Sequence, residues 1–412
     1  MPIVSYQIPT RTIDLQAFPV AEETLLLRSR VWERQKFEIE YALQRGSTEN
    51  AYIIRTEQTT LIDLPGEAFT DIFLRSLQER DIEPDRIILS YIDPDRVATL
   101  QVLLEKFSQV QVVCSNPAAI SLKKLLPEEQ LENLQIAKGE EKLVIGSDRT
   151  LEIIATPTPR WPDSLCFYDS KTKILFSSKY FSAHVCGDQV FDEGWQVYLE
   201  DRRYYFDCIM APHANQVATG LERLAQKPAT LYATGHGPLV LHGRVELTNS
   251  YNHWLEKQLS KENSVALIYA SAYGNTAAIA QAIARGITKA GVAVESINCE
   301  FAQPEEIKTA VENSVGFIMG SPTLGGHTPT QIQTAIGVVL STAEKTQLAG
   351  VFGSSQNFSV SSVGLNFTRI GSKPKRYPAS RNFPSRMSTA SPLQPKEPNT
   401  PANWVFSAVE RT

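Results

Sequence analysis

The sequence predicts an α/β protein that has two folded domains and an irregular C-terminal tail. Its 412 residues correspond to two or three domains of ordinary size, and its 42% of hydrophobic residues are enough to fill their cores. From about residue 20 to about residue 250, short apolar runs alternate with helical stretches. From about residue 262, a regular order of strand and helix is typical of a doubly wound parallel sheet.

The first region contains candidate strands and helices in irregular order. Segments 70–81 and 95–107 carry apolar residues at helical spacing, and no proline interrupts either one. The candidate strands are AYIIRTEQTTLID, RIILSYI, QVVCS, EKLVIG, LEIIATPT and KILFSS. Prolines collect instead in turn-like stretches such as TPTPRWPDS, which predicts short elements joined by turns.

The second region alternates strictly. The run SVALIYA is apolar throughout, as is typical of a parallel strand covered on both faces. An Ala-rich helix follows and ends at Gly291. The order then continues through VAVESINC, PEEIKTAVEN, SVGFIMGS, TPTQIQTAIGVVLSTAEK and LAGVFGS. From Ser355 the alternation of strand and helix ends, because dense prolines block both helices and central strands. This tail has eight basic and two acidic residues. A solvated tail is favoured over one that contacts an anionic partner.

Composition and charge exclude several classes of function. The formal net charge of −5 gives no electrostatic reason to expect a nucleic-acid partner. The first residues lack the basic head and apolar run of a secretory signal, and no run of about 18 apolar residues could span a membrane. The five cysteines form no CxxC pair, as in reduced cytoplasmic proteins. We therefore expect a soluble, cytoplasmic protein.

Two loops in the second region are candidate cofactor-binding sites. The first follows an apolar strand and opens a helix, where N–H groups and the helix dipole favour a phosphate. It has no lysine and no GxxxxGK[ST] pattern, which argues against a nucleotide triphosphatase. The second loop leaves the third strand at its carboxyl end, where ligands bind in open α/β sheets. The candidate residues are Ser271, Tyr273, Gly274, Asn275 and Thr276 in the first loop and Ser321, Pro322, Thr323, Leu324, Gly325 and Gly326 in the second.

Residues from about 264 to 354 resemble the flavodoxin family, whose phosphate loop S/T-x-T/Y-G-N-T holds FMN. The resemblance implies FMN as the cofactor of this domain. Two departures make the domain a partial one. Ser355, Gln356 and Asn357 follow the fourth strand where related flavoproteins carry an aromatic-Gly-Trp stretch, and the last helix–strand–helix of a flavodoxin is not recognisable.

The region from about Thr12 to Trp254 resembles the metallo-β-lactamase-like domain of flavodiiron proteins, in the segments WERQKFEIEYALQRGSTENAYIIR, TPRWPDSLCFYD, ILFSSKYF and TGHGP. The resemblance implies an αββα sandwich, which in that family holds two irons that reduce oxygen or nitric oxide. It divides the chain into a metallo-β-lactamase-like domain at 1–255, an incomplete flavodoxin-like FMN domain at 262–354 and a Pro/Ser-rich basic tail at 355–412.

The chain departs from the family's iron-ligand pattern, which is H-x-E-x-D-H, a His before W-P-D, an Asp in L-F-S-x-D and a His before Gly-Pro. The matching positions here are Tyr91, Asp93, Asp95, Arg96, Arg160, Lys179 and His236. An arginine offers no lone pair and a lysine does so only at a large cost in pKa, so these side chains cannot replace imidazole and carboxylate ligands. We therefore expect no diiron centre.

Three cations could take the place of the metals. We expect Asp93 and Asp95 to be buried carboxylates that pair with Arg96, Arg160 and Lys179 and leave about one positive charge over. A chloride-like anion at the three cations is one hypothesis, and a salt-bridged network without any ligand is the other. His184, Cys186 and His213 are alternative candidates for metal ligands, although isolated residues of this kind are more often core or surface groups. Asp63, which closes the strand TTLID, resembles a framework residue beside the pocket.

The resemblance implies an oxidoreductase that passes electrons from NAD(P)H or a carrier through FMN toward oxygen, which is reduced to water. In flavodiiron proteins the FMN of one subunit faces the metal pocket of its neighbour in a head-to-tail dimer. The altered ligands resemble divergent members of oxygenic phototrophs such as cyanobacteria, which carry a further flavin-reductase module. No such module fits the last 58 residues, so we expect a divergent or truncated C-terminus. The first alternative is an inactive or regulatory subunit that forms a hetero-oligomer, rather than a homodimer, with a metal-replete paralogue. The second alternative is a metallo-β-lactamase-type hydrolase.

Overall fold

The computed structural model describes residues 13–32, 45–138, 140–260, 263–323, 327–344, 347–355 and 366–369. The chain divides into two compact units, Met1–Ser260 and Lys261–Thr412. Among the described residues, no helix has the length and apolar character needed to cross a bilayer.

The first unit consists of two β-sheets with helices on their outer faces. Its strands are β1 (Ile13–Ala21), β2 (Thr24–Val31), β3 (Ser47–Arg55), β4 (Thr59–Ile62), β5 (Arg86–Ile88), β6 (Gln111–Ser115), β7 (Leu134–Ala137), β8 (Lys142–Val144), β9 (Thr150–Ala155), β10 (Leu165–Asp169), β11 (Ile174–Ser178) and β12 (Leu231–Thr234). Its helices are α1 (Thr70–Glu79), α2 (Pro94–Lys106), α3 (Asn116–Leu125), α4 (Leu199–Tyr205), α5 (Ala214–Ala225) and α6 (Arg244–Leu259). One sheet has the order β1-β2-β3-β4-β5-β6-β7 and the other the order β12-β11-β10-β9-β8.

The two sheets bury one apolar layer between them. Leu26 and Ile88 of the first sheet belong to the same buried cluster as Phe167 and Phe176 of the second. A separate cluster packs α1, α2 and α3 on the first sheet, and another packs α5 and α6 on the second. This arrangement is an αββα sandwich, so the predicted fold of the first region is confirmed.

The predicted elements reappear with small shifts at their ends. The helix expected over 95–107 begins at Pro94, and its N-cap is Asp93, whose Oδ1 accepts a hydrogen bond from the Arg96 N–H at 3.0 Å. The run 51–63 forms two antiparallel strands, β3 and β4, rather than one. The bend at 56–58 is stabilised by a hydrogen bond from the Thr56 N–H to the Gln58 carbonyl.

The second unit is a doubly wound sheet. It contains β13 (Ser264–Tyr269), α7 (Asn275–Lys289), β14 (Ala293–Asn298), α8 (Pro304–Glu312), β15 (Gly316–Thr323), α9 (Thr330–Thr342), β16 (Leu348–Ser355) and β17 (Asn366–Arg369). The order is β14-β13-β15-β16-β17, with parallel pairing throughout except at β17. Helix α7 packs on one face, and α8 and α9 pack on the other. The predicted flavodoxin-like sheet is therefore confirmed.

The tail expected to be irregular lies almost wholly outside the described residues. Its one described segment, Asn366–Arg369, pairs antiparallel with β16, where the sequence predicted no strand.

Candidate functional site

The altered ligand positions lie at the carboxyl ends of neighbouring strands in the first unit. Tyr91 follows β5, Arg96 lies in the first turn of α2, Lys179 follows β11 and His236 follows β12. All four side chains are buried. We call this group of side chains, together with Arg160 and Trp161, the cation pocket.

The cations of this pocket stack on aromatic rings. The Lys179 Nζ lies 3.6 Å from the centroid of the Tyr91 ring and 4.1 Å from the Trp161 ring, so the ammonium contacts both. The Arg96 guanidinium lies 4.1 Å from the Tyr91 ring, and that of Arg160 lies 4.7 Å from the Trp161 ring. Desolvated contacts of this kind stabilise a cation by about 2 kcal/mol each. The side chains therefore alternate between cation and ring.

The carboxylates expected to be buried are not. Asp95 is exposed, and the side chain of Asp93 is 32% exposed. The prediction that both are buried is therefore wrong, because the first turn of α2 turns these acids outward while Arg96 points inward. Arg96 instead approaches the buried Asp63, with 3.4 Å between Nη1 and Oδ1, and its Nε lies 3.7 Å from Asp93 Oδ2.

Asp63 joins the strand ends around Arg96. Its Oδ1 accepts from the Ser90 N–H at 2.8 Å, and its Oδ2 accepts from the Ser90 hydroxyl at 2.7 Å. It therefore connects the end of β4 to the loop after β5. This geometry supports the framework role that the sequence suggested.

Two further buried carboxyl groups, Glu49 and Asp163, escaped the sequence analysis. Burial raises the pKa of Glu49 to about 7, and its Oε2 accepts from the Gly66 N–H at 2.6 Å. Burial also raises the pKa of Asp163 to about 6, and its Oδ2 accepts from the Ile92 N–H at 2.7 Å. Asp163 stands in the quoted Trp-Pro-Asp stretch and could have been found there. The residues around Glu49 do not indicate that it belongs to the site, because it comes near α2 only through the pairing of β3 in the sheet.

His236 keeps the orientation of a metal ligand. Its Nδ1 donates to the Thr48 carbonyl at 2.8 Å, which leaves Nε2 as the acceptor nitrogen. The turn that carries it is fixed because the Gly237 N–H donates to the Thr48 hydroxyl at 2.7 Å and Asn50 donates to the Thr234 carbonyl at 2.9 Å. Burial lowers the pKa of His236 well below its usual value, and the charges of neighbouring His184, Lys179 and Arg96 lower it further. The imidazole is neutral at pH 7.

Three residues beside this pocket have a strained backbone conformation. Asp63, Ser178 and Phe181 have φ of +61°, +49° and +64°, a region that residues with a Cβ rarely adopt. Ser178 and Phe181 flank the Lys179–Tyr180 pair, and the Arg202 guanidinium donates to the Phe181 carbonyl. Such strain costs about 1–3 kcal/mol per residue and is typical of functional sites.

The alternative ligand candidates do not complete a metal site. His184 lies 4.7 Å from His236, ring to ring, and its Nδ1 is 2.8 Å from the Ser47 hydroxyl. Burial raises the pKa of the Cys186 thiol to about 11, so it is protonated at neutral pH. His213 is buried in a helical turn before α5. Among the described residues, no three His, Cys, Asp or Glu side chains are arranged to hold a metal ion.

The first candidate loop of the second unit has an open backbone suited to a phosphate. Gly274 has φ +83°, and a Cβ built there meets nothing within 4 Å. The Ser271 hydroxyl accepts from the Ala277 N–H at 3.1 Å, and the Thr276 hydroxyl lies 2.7 Å from that of Ser354. The Tyr273 side chain is 70% exposed. The first turn of α7, which begins at Asn275, therefore presents its N-terminus with no side chain blocking Gly274.

The second candidate loop is described in part. Ser321, Pro322 and Thr323 form the end of β15 and pair with β16. Leu324, Gly325 and Gly326 lie outside the described residues, as do Gln356 and Asn357. The phosphate end of an FMN site thus fits the described residues.

Comparisons with known proteins agree with both units. The family described as ODP family beta lactamase matches residues 47–237, and the flavodoxin family matches residues 267–358. The metal-soaked Flv1 flavodiiron core from Synechocystis is 54% identical, has a TM-score of 0.81 and aligns over 84% of this chain and 86% of its own. The chain belongs to the flavodiiron family.

Curated relatives match this chain over part of their own length. The diflavin flavoprotein A 6 of Nostoc is 59% identical over 84% of this chain, and the diflavin flavoprotein A 3 of Synechocystis is 54% identical over 85%. The chain spans about three fifths of the length of these curated relatives. The rubredoxin:oxygen oxidoreductase of Desulfovibrio gigas, at 21% identity and a TM-score of 0.55, shares the fold.

Proposed function

We propose that this flavodiiron chain is an electron-transferring subunit whose second unit binds FMN and whose first unit holds no iron pair of its own. FMN bound in the second unit would supply the electron-carrying group between NAD(P)H or a carrier protein and oxygen, whose reduction product would be water. The observation that carries the proposal is the burial of Arg96 and Lys179, 3% and 4% exposed, where the family pattern requires a His and an Asp.

The donor set of the cation pocket does not fit a diiron centre. Arg96 cannot give up its proton in a protein, and the Lys179 Nζ lies against the faces of two aromatic rings, which attract a cation and offer no place for a second one. Two fixed cations at low dielectric oppose the entry of two metal ions. Asp93 caps α2, and Asp95 is exposed, so His236 alone retains both the identity and the orientation of a ligand.

The pocket itself is a candidate site for a small anion such as chloride, held by Arg96, Arg160 and Lys179. Within the described part of the chain, neither Nη atom of Arg96 makes a hydrogen bond, although both are buried. The sequence indicated about one positive charge in excess at the pocket, from three cations and two carboxylates. Asp63, Asp163 and Glu49 are further carboxyl groups near the pocket, so the structure does not keep that excess. Binding of an anion is favoured only at a pH at which Glu49 and Asp163 are protonated. At higher pH their carboxylates balance the cations, and the salt-bridged network needs no anion.

We call the first candidate loop of the second unit, Ser271–Thr276, the phosphate loop. It would hold FMN through the N-terminus of α7 and the hydroxyls of Ser271 and Thr276. Bound FMN supplies a carrier that accepts electron pairs and releases single electrons. Gly274 leaves room for the phosphate, and the exposed Tyr273 lies at the rim of the loop.

Because a second copy of the chain would carry the same buried Arg96 and Lys179, oxygen chemistry needs a second protein that has irons of its own. We propose a hetero-oligomer with a metal-replete flavodiiron paralogue, in which this subunit's flavin serves the partner's iron site; a head-to-tail homodimer is the other assembly. We place the protein in the cytoplasm. A purely regulatory subunit remains the second candidate, favoured by the buried, metal-excluding cations. A hydrolase needs metal-activated water, which the same cations oppose.

Metal and flavin analysis of the purified protein tests the proposal. We expect about one FMN and far less than one iron per chain after expression with added iron, and oxygen uptake only after mixing with a metal-replete paralogue. A matched variant with Tyr91→His, Arg96→His, Arg160→His and Lys179→Asp should gain iron. Two irons in the unaltered chain would refute the proposal, and zinc with esterase or lactamase turnover would favour the hydrolase.

Anion binding is tested separately. Chloride added against gluconate at constant ionic strength should raise the melting temperature below pH 6, and Lys179→Met should abolish the rise. An equal rise in both proteins would exclude this site.

A further inference from the structure

The phosphate loop of the second unit already contacts a carboxylate. The backbone N–H of Ser271, the first residue of the loop, donates to Oε1 of Glu300 at 3.0 Å. Glu300 lies just after β14, the strand that pairs with β13 in parallel, so its side chain reaches the loop from the neighbouring strand end. Two parallel strands thus bring an acid to a loop that is suited to an anion.

A carboxylate oxygen and a phosphate oxygen accept the same kind of hydrogen bond from a backbone N–H. Glu300 is exposed, so its position is not imposed by burial. Its own backbone N–H donates to Asn298 Oδ1 at 3.1 Å, which fixes the chain turn from which the side chain extends. The Ser271 N–H is therefore engaged before any phosphate arrives.

The charge of Glu300 also opposes a phosphate. The loop Ser271–Thr276 contains no Lys or Arg, so the loop itself supplies no cation to a bound phosphate. A phosphate dianion held by this loop would meet the charge of a carboxylate that already accepts from the first N–H of the same loop. Like charges at this separation repel, and salt in solution weakens the repulsion.

We propose that Glu300 is an internal competitor for the flavin phosphate, which weakens binding of FMN relative to riboflavin, the same ring system without the phosphate. This inference rests on the proposed FMN site and adds a residue that sets the site's preference between phosphorylated and unphosphorylated flavin. Binding of FMN then requires the Glu300 side chain to swing away from Ser271.

The test compares Glu300→Gln and Glu300→Ala with the unaltered chain after removal of bound flavin. The glutamine keeps an oxygen that can accept from Ser271 and removes only the charge, whereas the alanine removes both. Glu312→Gln is the matched control, because Glu312 is exposed and ends α8 at the opposite edge of the sheet. Dissociation constants for FMN and riboflavin are measured by quenching of flavin fluorescence.

We expect Glu300→Gln to tighten FMN binding about tenfold at low salt and to leave riboflavin binding within about twofold, with Glu312→Gln unchanged. The gain should shrink in 0.5 M salt. Glu300→Ala should bind FMN at least as tightly as Glu300→Gln. Weaker FMN binding in the alanine variant would show that Glu300 organises the loop, and would overturn the inference while leaving the FMN site intact. Binding of riboflavin and FMN by none of the proteins would overturn the proposed function itself.

Discussion

The buried Glu49 makes the stability of the first unit depend on pH in an unusual direction. Its pKa of about 7 in the folded protein lies above the ordinary value of 4.5, because burial disfavours the charged form. Between these two pH values the folded chain holds a proton that the unfolded chain has lost. The free energy of unfolding therefore falls as pH rises through this interval.

The size of the effect follows from the same two values. One proton contributes about 1.4 kcal/mol per pH unit, so the contribution of Glu49 falls by about 3 kcal/mol between pH 4.5 and pH 7. Glu49→Gln removes this titration while keeping an oxygen that can accept from the Gly66 N–H. The variant should therefore gain up to about 3 kcal/mol relative to the unaltered chain as pH rises from 4.5 to 8.

Urea unfolding followed by tryptophan fluorescence measures this difference at each pH. Four of the five tryptophans, Trp32, Trp161, Trp195 and Trp254, belong to the first unit, so the signal reports mainly on it. Glu83→Gln, at an exposed position, is the control and should show no such trend. A difference between Glu49→Gln and the unaltered chain that stays constant from pH 4.5 to 8 would refute the argument.

Two more predictions use matched pairs of sites. Arg149→Ala leaves the fully buried Asp169, which lies 2.5 Å from Arg149, without its cation, and should cost about 3–5 kcal/mol in urea unfolding. Lys171→Ala, at a solvent-screened pair with Asp148, should cost much less, and equal losses in the two variants would contradict this. Gly274→Ala and Gly291→Ala place a Cβ at φ +83° and +81° without any steric contact, so each should cost about 1 kcal/mol of stability. Gly274→Ala alone should also weaken FMN binding in a fluorescence titration, and an equal loss in both variants would show that the loop plays no part.

The sequence predicted the architecture well because its signals are local. Apolar spacing located α2 to within a residue at each end, and the uninterrupted apolar run of β13 indicated a parallel strand covered on both faces. The family resemblance indicated one pocket for Arg96, Lys179 and His236, and each of them follows the carboxyl end of a strand, in one or the other of the two sheets.

The contacts within the sites depend on which side chains meet across elements, and sequence spacing does not contain that information. The pairing of Lys179 with Tyr91 and Trp161 needs three loops from two sheets. The contact between Glu300 and Ser271 depends on the parallel register of β13 and β14, which places the ends of the two strands side by side.

The stacked ammonium of Lys179 also bears on whether an iron-binding pocket could be regained by single mutations. An aspartate at that position, introduced alone, would face two aromatic rings and lose the contacts that now stabilise a buried charge. We expect it to destabilise the fold before any metal could bind. Under the proposed function, a change at Lys179 would therefore be tolerated only together with changes at Tyr91, Arg96 and Arg160, so the stacked cations would oppose a stepwise path to an iron-binding pocket.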